Sequence, residues 1–149
     1  MQWKCVPFEA LTPIELYQLL QLRVNVFVVE QTCPYPELDG KDILSGVYHL
    51  IGYKENELIA CARLLPQGIS FSNVSIGRVA TKENHRGSGL GHELIKTALV
   101  HCQKLWGECD VSIGAQSHLE HYYQKHGFKK ISEEYLEDDI PHIDMTRIA

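Results

Sequence analysis

The sequence predicts an α+β fold in α/β/α-type layers, with a mixed, mostly antiparallel sheet flanked by helices. Three observations carry this expectation. Strand-patterned segments follow one another directly at residues 48–54, 58–65 and 70–81, which implies antiparallel hairpins. A strand–helix–strand unit over residues 74–116 implies one parallel pair in the same sheet. Helix-start signals at Thr12 and Ser117 add a helix on either side of these strands.

Each element has its own local reason. Residues 3–8 alternate weakly and read as a first strand. Thr12-Pro13-Ile14-Glu15 starts a helix: Thr12 caps, Pro13 suits the first helical position and Glu15 completes a capping box. Leu16, Leu19, Leu20, Arg23 and Val24 carry the helix on, with Phe27 one turn later, and its broad apolar side implies burial. Residues 28–42 hold two prolines and the acids Glu30, Glu37, Asp39 and Asp42, and read as a long polar connection. Glu55-Asn56-Glu57 reads as the hairpin turn between the next two strands. After the strand at 70–81 and a glycine turn, a helix starts near His92. Leu94, Ile95, Ala98, Leu99, Cys102 and Leu105 recur in it at helical spacing, and Gly107 ends it. Residues 110–116 form a short buried strand. Ser117 and Glu120 form a second capping box opening a helix over 119–126, with Gly127 after its end. Residues 128–136 and 142–148 read as two closing strands. No repeat or linker divides the chain, so residues 1–149 are expected to form one domain.

Composition narrows the function. Apolar residues make up 44% and charged residues 22%, as in a soluble globular protein. The net charge of -5 argues against a nucleic-acid partner, which needs a basic face, and favours cationic small molecules or basic peptides. The start of the chain has no apolar signal segment and no run reaches membrane-spanning length, so a cytoplasmic location and no membrane partner are expected. Five cysteines without a C-x-x-C pair fit a reducing compartment. Cys33 stands apart, in the polar Pro-rich connection. His118 and His121 lack a clear third ligand, so no metal is expected.

The stretch at 74–105 organises the rest. A strand runs into Gly87-Ser88-Gly89-Leu90-Gly91 and then into a helix. Glycines let backbone approach a ligand closely, and the first helical N–H groups lack intrahelical partners. A phosphate is a favourable guest at such a terminus. The glycine spacing is not that of a dinucleotide-binding turn, and no Gly-Lys-Ser/Thr follows to make a nucleotide P-loop.

Arg86-x-x-Gly89-x-Gly91 after a strand resembles the pyrophosphate motif of the GNAT family of acetyl-CoA-dependent N-acetyltransferases. Tyr123-x-x-x-Gly127-Phe128 resembles a later signature of the same family. Phe27–Tyr35, Ala62–Pro66, Ile76–Val79 and Ile140–Ile143 resemble its ElaA-type branch. The resemblance spans the chain and implies the GNAT acyl-CoA N-acyltransferase fold, with acetyl-CoA as co-substrate. It places that molecule in a V-shaped split between the strand ending at Thr81 and the strand at 110–116. The pyrophosphate would then take N–H bonds from Gly87, Ser88, Gly89, Leu90, Gly91 and His92. The pantetheine would pair with Arg78, Val79, Ala80 and Thr81 as an added strand.

Acetyl transfer to an amine requires a base, a donor to the developing oxyanion and an acid for the leaving thiolate. The resemblance places Tyr123 as the acid; as a phenol it is protonated at neutral pH. A backbone N–H near Val79 or Ala80 is the expected oxyanion donor. The base is left among His142, Glu30 and a water relay. Arg63 and Arg78 lie in apolar strands and are expected to pair with Glu30, Asp39 or Asp42. The expected activity is direct attack by a primary amine of a small molecule or peptide. A catalytically silent acyl-CoA-binding module is the alternative, and a homodimer is compatible with the sequence.

Overall fold

The computed structural model describes residues 1–149. Strand β1 (Gln2–Pro7) leads into helix α1 (Pro13–Val24), whose start is fixed locally. Thr12 Oγ1 accepts from Glu15 N at 3.1 Å, and Glu15 Oε1 accepts from Thr12 N at 2.9 Å, closing the predicted capping box. The helix continues as a wider π-helical segment, Asn25–Glu30. A long connection, with only one short 3-10 turn at Lys41–Ile43, then reaches strand β2 (Tyr48–Lys54).

Strands β3 (Glu57–Leu65) and β4 (Val74–Thr81) complete an antiparallel run with β1 and β2. The β4 strand begins at Val74 and not at Ser70, because Gly68 N donates to Phe71 O at 2.7 Å and folds the preceding residues into a loop. Helix α2 (Leu90–Trp106) starts two residues before the expected His92, capped by Gly89. Strand β5 (Val111–Gln116) pairs parallel with β4, as the strand–helix–strand unit requires.

Several expectations fail after β5. No capping box forms at Ser117: residues Ser117–Leu119 make a tight 3-10 turn, no side chain caps it, and Ser117 Oγ is buried without a partner. Glu120 instead accepts from Gln124 within helix α3 (Glu120–Gln124), which is shorter than predicted. The single strand expected at 128–136 is two, β6 (Phe128–Lys130) and β7 (Tyr135–Glu137), both on the same edge of β8 (Ile140–Arg147). The chain takes five steps from Lys130 to Tyr135, while β8 takes three from Met145 to His142, so the surplus loops out.

The sheet order is β1-β2-β3-β4-β5-β8-β6, with β7 also on β8. Leu94, Ile95, Ala98 and Cys102 of α2 share the main core with Ile113, Phe128 and Met145 on one face. Leu19, Leu22 and Val26 form a second cluster with Ile51, Cys61 and Ala80 on the other. The layers are therefore those of the predicted α/β/α arrangement. No helix is long and apolar enough to cross a membrane.

Candidate active site

The β4 and β5 strands are bonded only at Val74–Val111 and Ser75–Ser112, after which they part. Beyond that point β4 keeps β3 on one side and exposes its other edge to a cleft of about 1220 Å³. Arg78, Val79, Ala80 and Thr81 all lie on this stretch, as the sequence implied. The strand is bulged there. From Cys61 to Arg63 β3 advances two residues, while β4 covers three between Ala80 and Gly77. Arg78 adopts φ +46° in the bulge, an uncommon conformation for a non-glycine residue.

The bulge is held by ion pairs. Arg78 Nε lies 2.8 Å from Glu37 Oε2, and its Nη2 bonds Glu37 O at 3.0 Å. The guanidinium also sits 5.7 Å from the Tyr35 ring centroid. Glu37 itself is 4% exposed and shares its Oε2 with Arg23 Nε at 2.7 Å. Arg23, 1% exposed, reaches on to Asp42 Oδ1 at 2.7 Å, and Arg63 pairs with both Asp39 and Asp42. Burial opposes the charged form of Asp42, but Arg23 and Arg63 outweigh it and hold its pKa below the ordinary carboxylate range. The polar connection is thus partly an interior one. Arg63 finds Asp39 and Asp42 as expected, whereas Arg78 takes Glu37 with Asp39. Sequence reasoning missed Arg23 and Glu37; an arginine on the apolar side of α1 was the available signal.

Glu30 pairs elsewhere. Its Oε2 lies 2.8 Å from Arg86 Nη1, and Arg86 Nη2 donates to Thr81 O at 2.7 Å. This fastens the end of the π-helical segment to the glycine turn. Arg86 therefore braces the turn from within the cleft wall.

None of the N–H groups of Gly87, Ser88, Gly89, Leu90, Gly91 or His92 bonds a backbone acceptor. Gly87 at φ +92° and Gly89 at φ +87° have no atom within 4 Å of where a Cβ would stand, so the space over the turn is open. Gly91 differs: a Cβ there would meet Tyr122 Oη at 2.5 Å. Two motif glycines open the turn and the third admits a tyrosine. Tyr122 stacks on His92 with centroids 4.5 Å apart, and His92 Nδ1 lies 2.8 Å from His126 Nε2. Burial, then the neighbouring His92, Lys96 and Arg147, lower the His126 pKa.

Tyr123 is buried, packed edge-on to Tyr122 and Phe128, and lines the cleft. Burial, reinforced by Tyr122, raises its pKa, so the phenol keeps its proton. On the far wall His142 contacts Ile140 O through Nδ1 at 2.7 Å. A carbonyl only accepts, so Nδ1 carries a proton, while Nε2 faces Glu137 Oε2 at 3.5 Å. The cleft thus brings together an open row of N–H groups, an unpaired strand edge, a protonated phenol and an imidazole.

The model of the acetyltransferase (GNAT) domain matches residues 21–149. The chain belongs to the GNAT family. Within that family, protein ElaA of Escherichia coli (strain K12) is 43% identical over 147 residues, covering 99% of this chain and 96% of that protein. The crystal structure of Escherichia coli ElaA gives a TM-score of 0.92 over 99% of both chains. An acyl-CoA N-acyltransferase from Pseudomonas aeruginosa is 47% identical, with a TM-score of 0.93 over 98% of both chains. An aminoglycoside 6'-N-acetyltransferase complexed with coenzyme A, 14% identical, gives a TM-score of 0.73 over 97% of this chain and 96% of its own, a likeness of fold alone. The GNAT fold and the ElaA-like character expected from the sequence both hold.

Proposed function

We propose that this GNAT protein transfers acetyl from acetyl-CoA to a primary amine by direct attack. The carrying observation is the row of N–H groups from Gly87 to His92 without backbone acceptors, over open space at the start of a 17-residue helix. Such a terminus suits a pyrophosphate, since it offers both donors and partial positive charge. The unpaired β4 edge supplies further backbone groups for an extended pantetheine.

The chain's own residues then divide the chemistry. His142 Nε2 takes the amine proton as nitrogen bonds the acyl carbon. A backbone N–H at Val79 or Ala80, beside the bulge at Arg78, meets the developing oxyanion. Tyr123 Oη gives its proton to the departing sulfur as the carbon–sulfur bond breaks. Glu30 acts through Arg86, by holding the glycine turn in place.

The test is thiol release from acetyl-CoA across a panel of amines, with CoA affinity measured separately. Tyr123→Phe is expected to keep CoA affinity and lose about 100-fold in kcat, the low end for a general acid. An unchanged kcat removes Tyr123 from the chemistry. A parent chain that binds CoA yet turns over no amine is a binding module.

A further inference from the structure

The acceptor side of the cleft carries a second polar feature that the transfer chemistry leaves unused. On one face of the sheet, pairing aligns Ser75, Ser112 and Thr146 in one row, Gly114 with Asp144 in the next, and Gln116 with His142 in a third. The middle row has room for little more than a methyl. A Cβ at Gly114 would lie 3.4 Å from Tyr135 Oη, 3.8 Å from Asp144 Oδ1 and 3.8 Å from the tip of the Phe71 ring. Glycine at that position lets an aromatic ring and a carboxylate come close over an exposed strip of strand that a guest can reach.

Asp144 is built for this. Tyr135 Oη donates to its Oδ1 at 2.6 Å, and Ser132 Oγ accepts from its backbone N–H at 2.9 Å. Both partners come from β7 and the looped-out segment before it. No lysine or arginine pairs with Asp144, although Arg63, Arg78 and Arg86 in the same cleft are each matched to carboxylates. The cleft's remaining charges are Lys41, tied to Ser70 Oγ at 2.9 Å, against Glu137, Asp138 and Asp144. The first row adds a polar floor. Ser75 is 1% exposed, lines the cleft, and its Oγ has no hydrogen-bond partner. That Oγ is closed to solvent, so it makes the floor beside Asp144 polar without touching the guest.

The geometry points to a second-cation subsite at Asp144, so that the acceptor is a diamine rather than a monoamine. Rows two residues apart along β8 stand about 7 Å from each other. A nitrogen presented to His142 and a second held by Asp144 would be separated by roughly that distance, close to the span of an extended four-carbon diamine at about 6 Å. The methylenes between them would lie along Phe71 and Tyr135. This inference rests on the amine-transfer reading for the identity of the first nitrogen, but the binding of the second can be measured without turnover.

The experiment is calorimetric titration of the full chain, with and without saturating CoA, using 1,4-diaminobutane and 1-aminobutane. Far-UV circular dichroism of each variant is the control for folding. The diamine is expected to bind at least about tenfold more tightly than the monoamine, the least that a hydrogen-bonded charge pair confers. Asp144→Asn should close that gap, and Tyr135→Phe should narrow it while leaving the carboxylate present. Equal affinities in the parent chain, or a gap that survives Asp144→Asn, overturn the subsite. Should Asp144→Asn fail to fold, the parent comparison and Tyr135→Phe decide the matter. Diamine selectivity with no CoA binding would keep the subsite and remove the transferase; CoA binding with no selectivity would do the reverse.

Discussion

Gly89→Ala separates the conformational role of the glycine turn from its binding role. Gly89 holds φ +87° with nothing within 4 Å of a new Cβ, so alanine meets no protein atom there. Its cost in stability is then the left-handed backbone alone, about 1–2 kcal/mol. Gly68 provides the control, with φ +90°, equally open surroundings and a place outside the cleft. Gly68→Ala should lose the same 1–2 kcal/mol or so in urea denaturation, at unchanged m. The two variants should diverge in CoA affinity. The methyl of Gly89→Ala occupies the space over the free N–H groups, where an anion must come within about 3 Å. Loss of even one charge-assisted bond of about 1.5–3 kcal/mol weakens binding by roughly ten- to hundredfold. Gly68→Ala should bind CoA like the parent. The reasoning is refuted if Gly89→Ala keeps parental affinity, or if both variants weaken alike.

Other consequences can be checked with the same material. Arg23→Met should cost about 3 kcal/mol, the low end for a broken buried pair, because Glu37 and Asp42 keep Arg78 and Arg63 respectively; a urea-derived loss below about 1 kcal/mol would make the network ornamental. Burial holds the pKa values of His49, His101 and His126 below the ordinary value. The unfolded chain therefore binds more protons than the folded one, and stability present above about pH 6.5 is lost as pH falls through the folded values. Urea midpoints at pH 7.5 and 5.0 should show the loss, reduced in His126→Gln; a midpoint that rises on acidification contradicts it. Asp42 behaves alike at lower pH. Its depressed pKa contributes stability above about pH 4 that disappears on further acidification, and Asp42→Asn should flatten that acid limb.

What could be read from the chain was what is decided within a few residues. Thr12 and Glu15 are three apart, and the capping box they predict is present. Gly87 and Gly89 announce an open turn before a helix, and the helix follows. Ser117 and Glu120 have the same spacing as Thr12 and Glu15, yet the chain there tightens into a 3-10 turn and the cap is lost. The break between β6 and β7 is set by their common partner β8, which the local pattern at 128–136 does not contain. Arg23 finds Glu37 and Asp42 at separations of 14 and 19 residues, so its role depends on tertiary placement. The bulge at Arg78 lacks the glycine or asparagine that ordinarily signals positive φ; ion pairs hold it instead. Of the candidate site residues, the glycine turn and Tyr123 were legible from motif, whereas Asp144 and Tyr135 meet only through the loop that β8 forces outward.

The parting of β4 and β5 also divides the molecule mechanically. Only the rungs at Val74 and Ser75 join one four-stranded plate, β1 to β4, to another, β5 to β8. What keeps the plates at a set angle is the buried face of α2, whose Leu94, Ile95 and Ala98 belong to a core shared by both. That helix is thus a spacer as well as a terminus for anions: trimming its underside would change how far the jaws gape without altering a single residue that lines them.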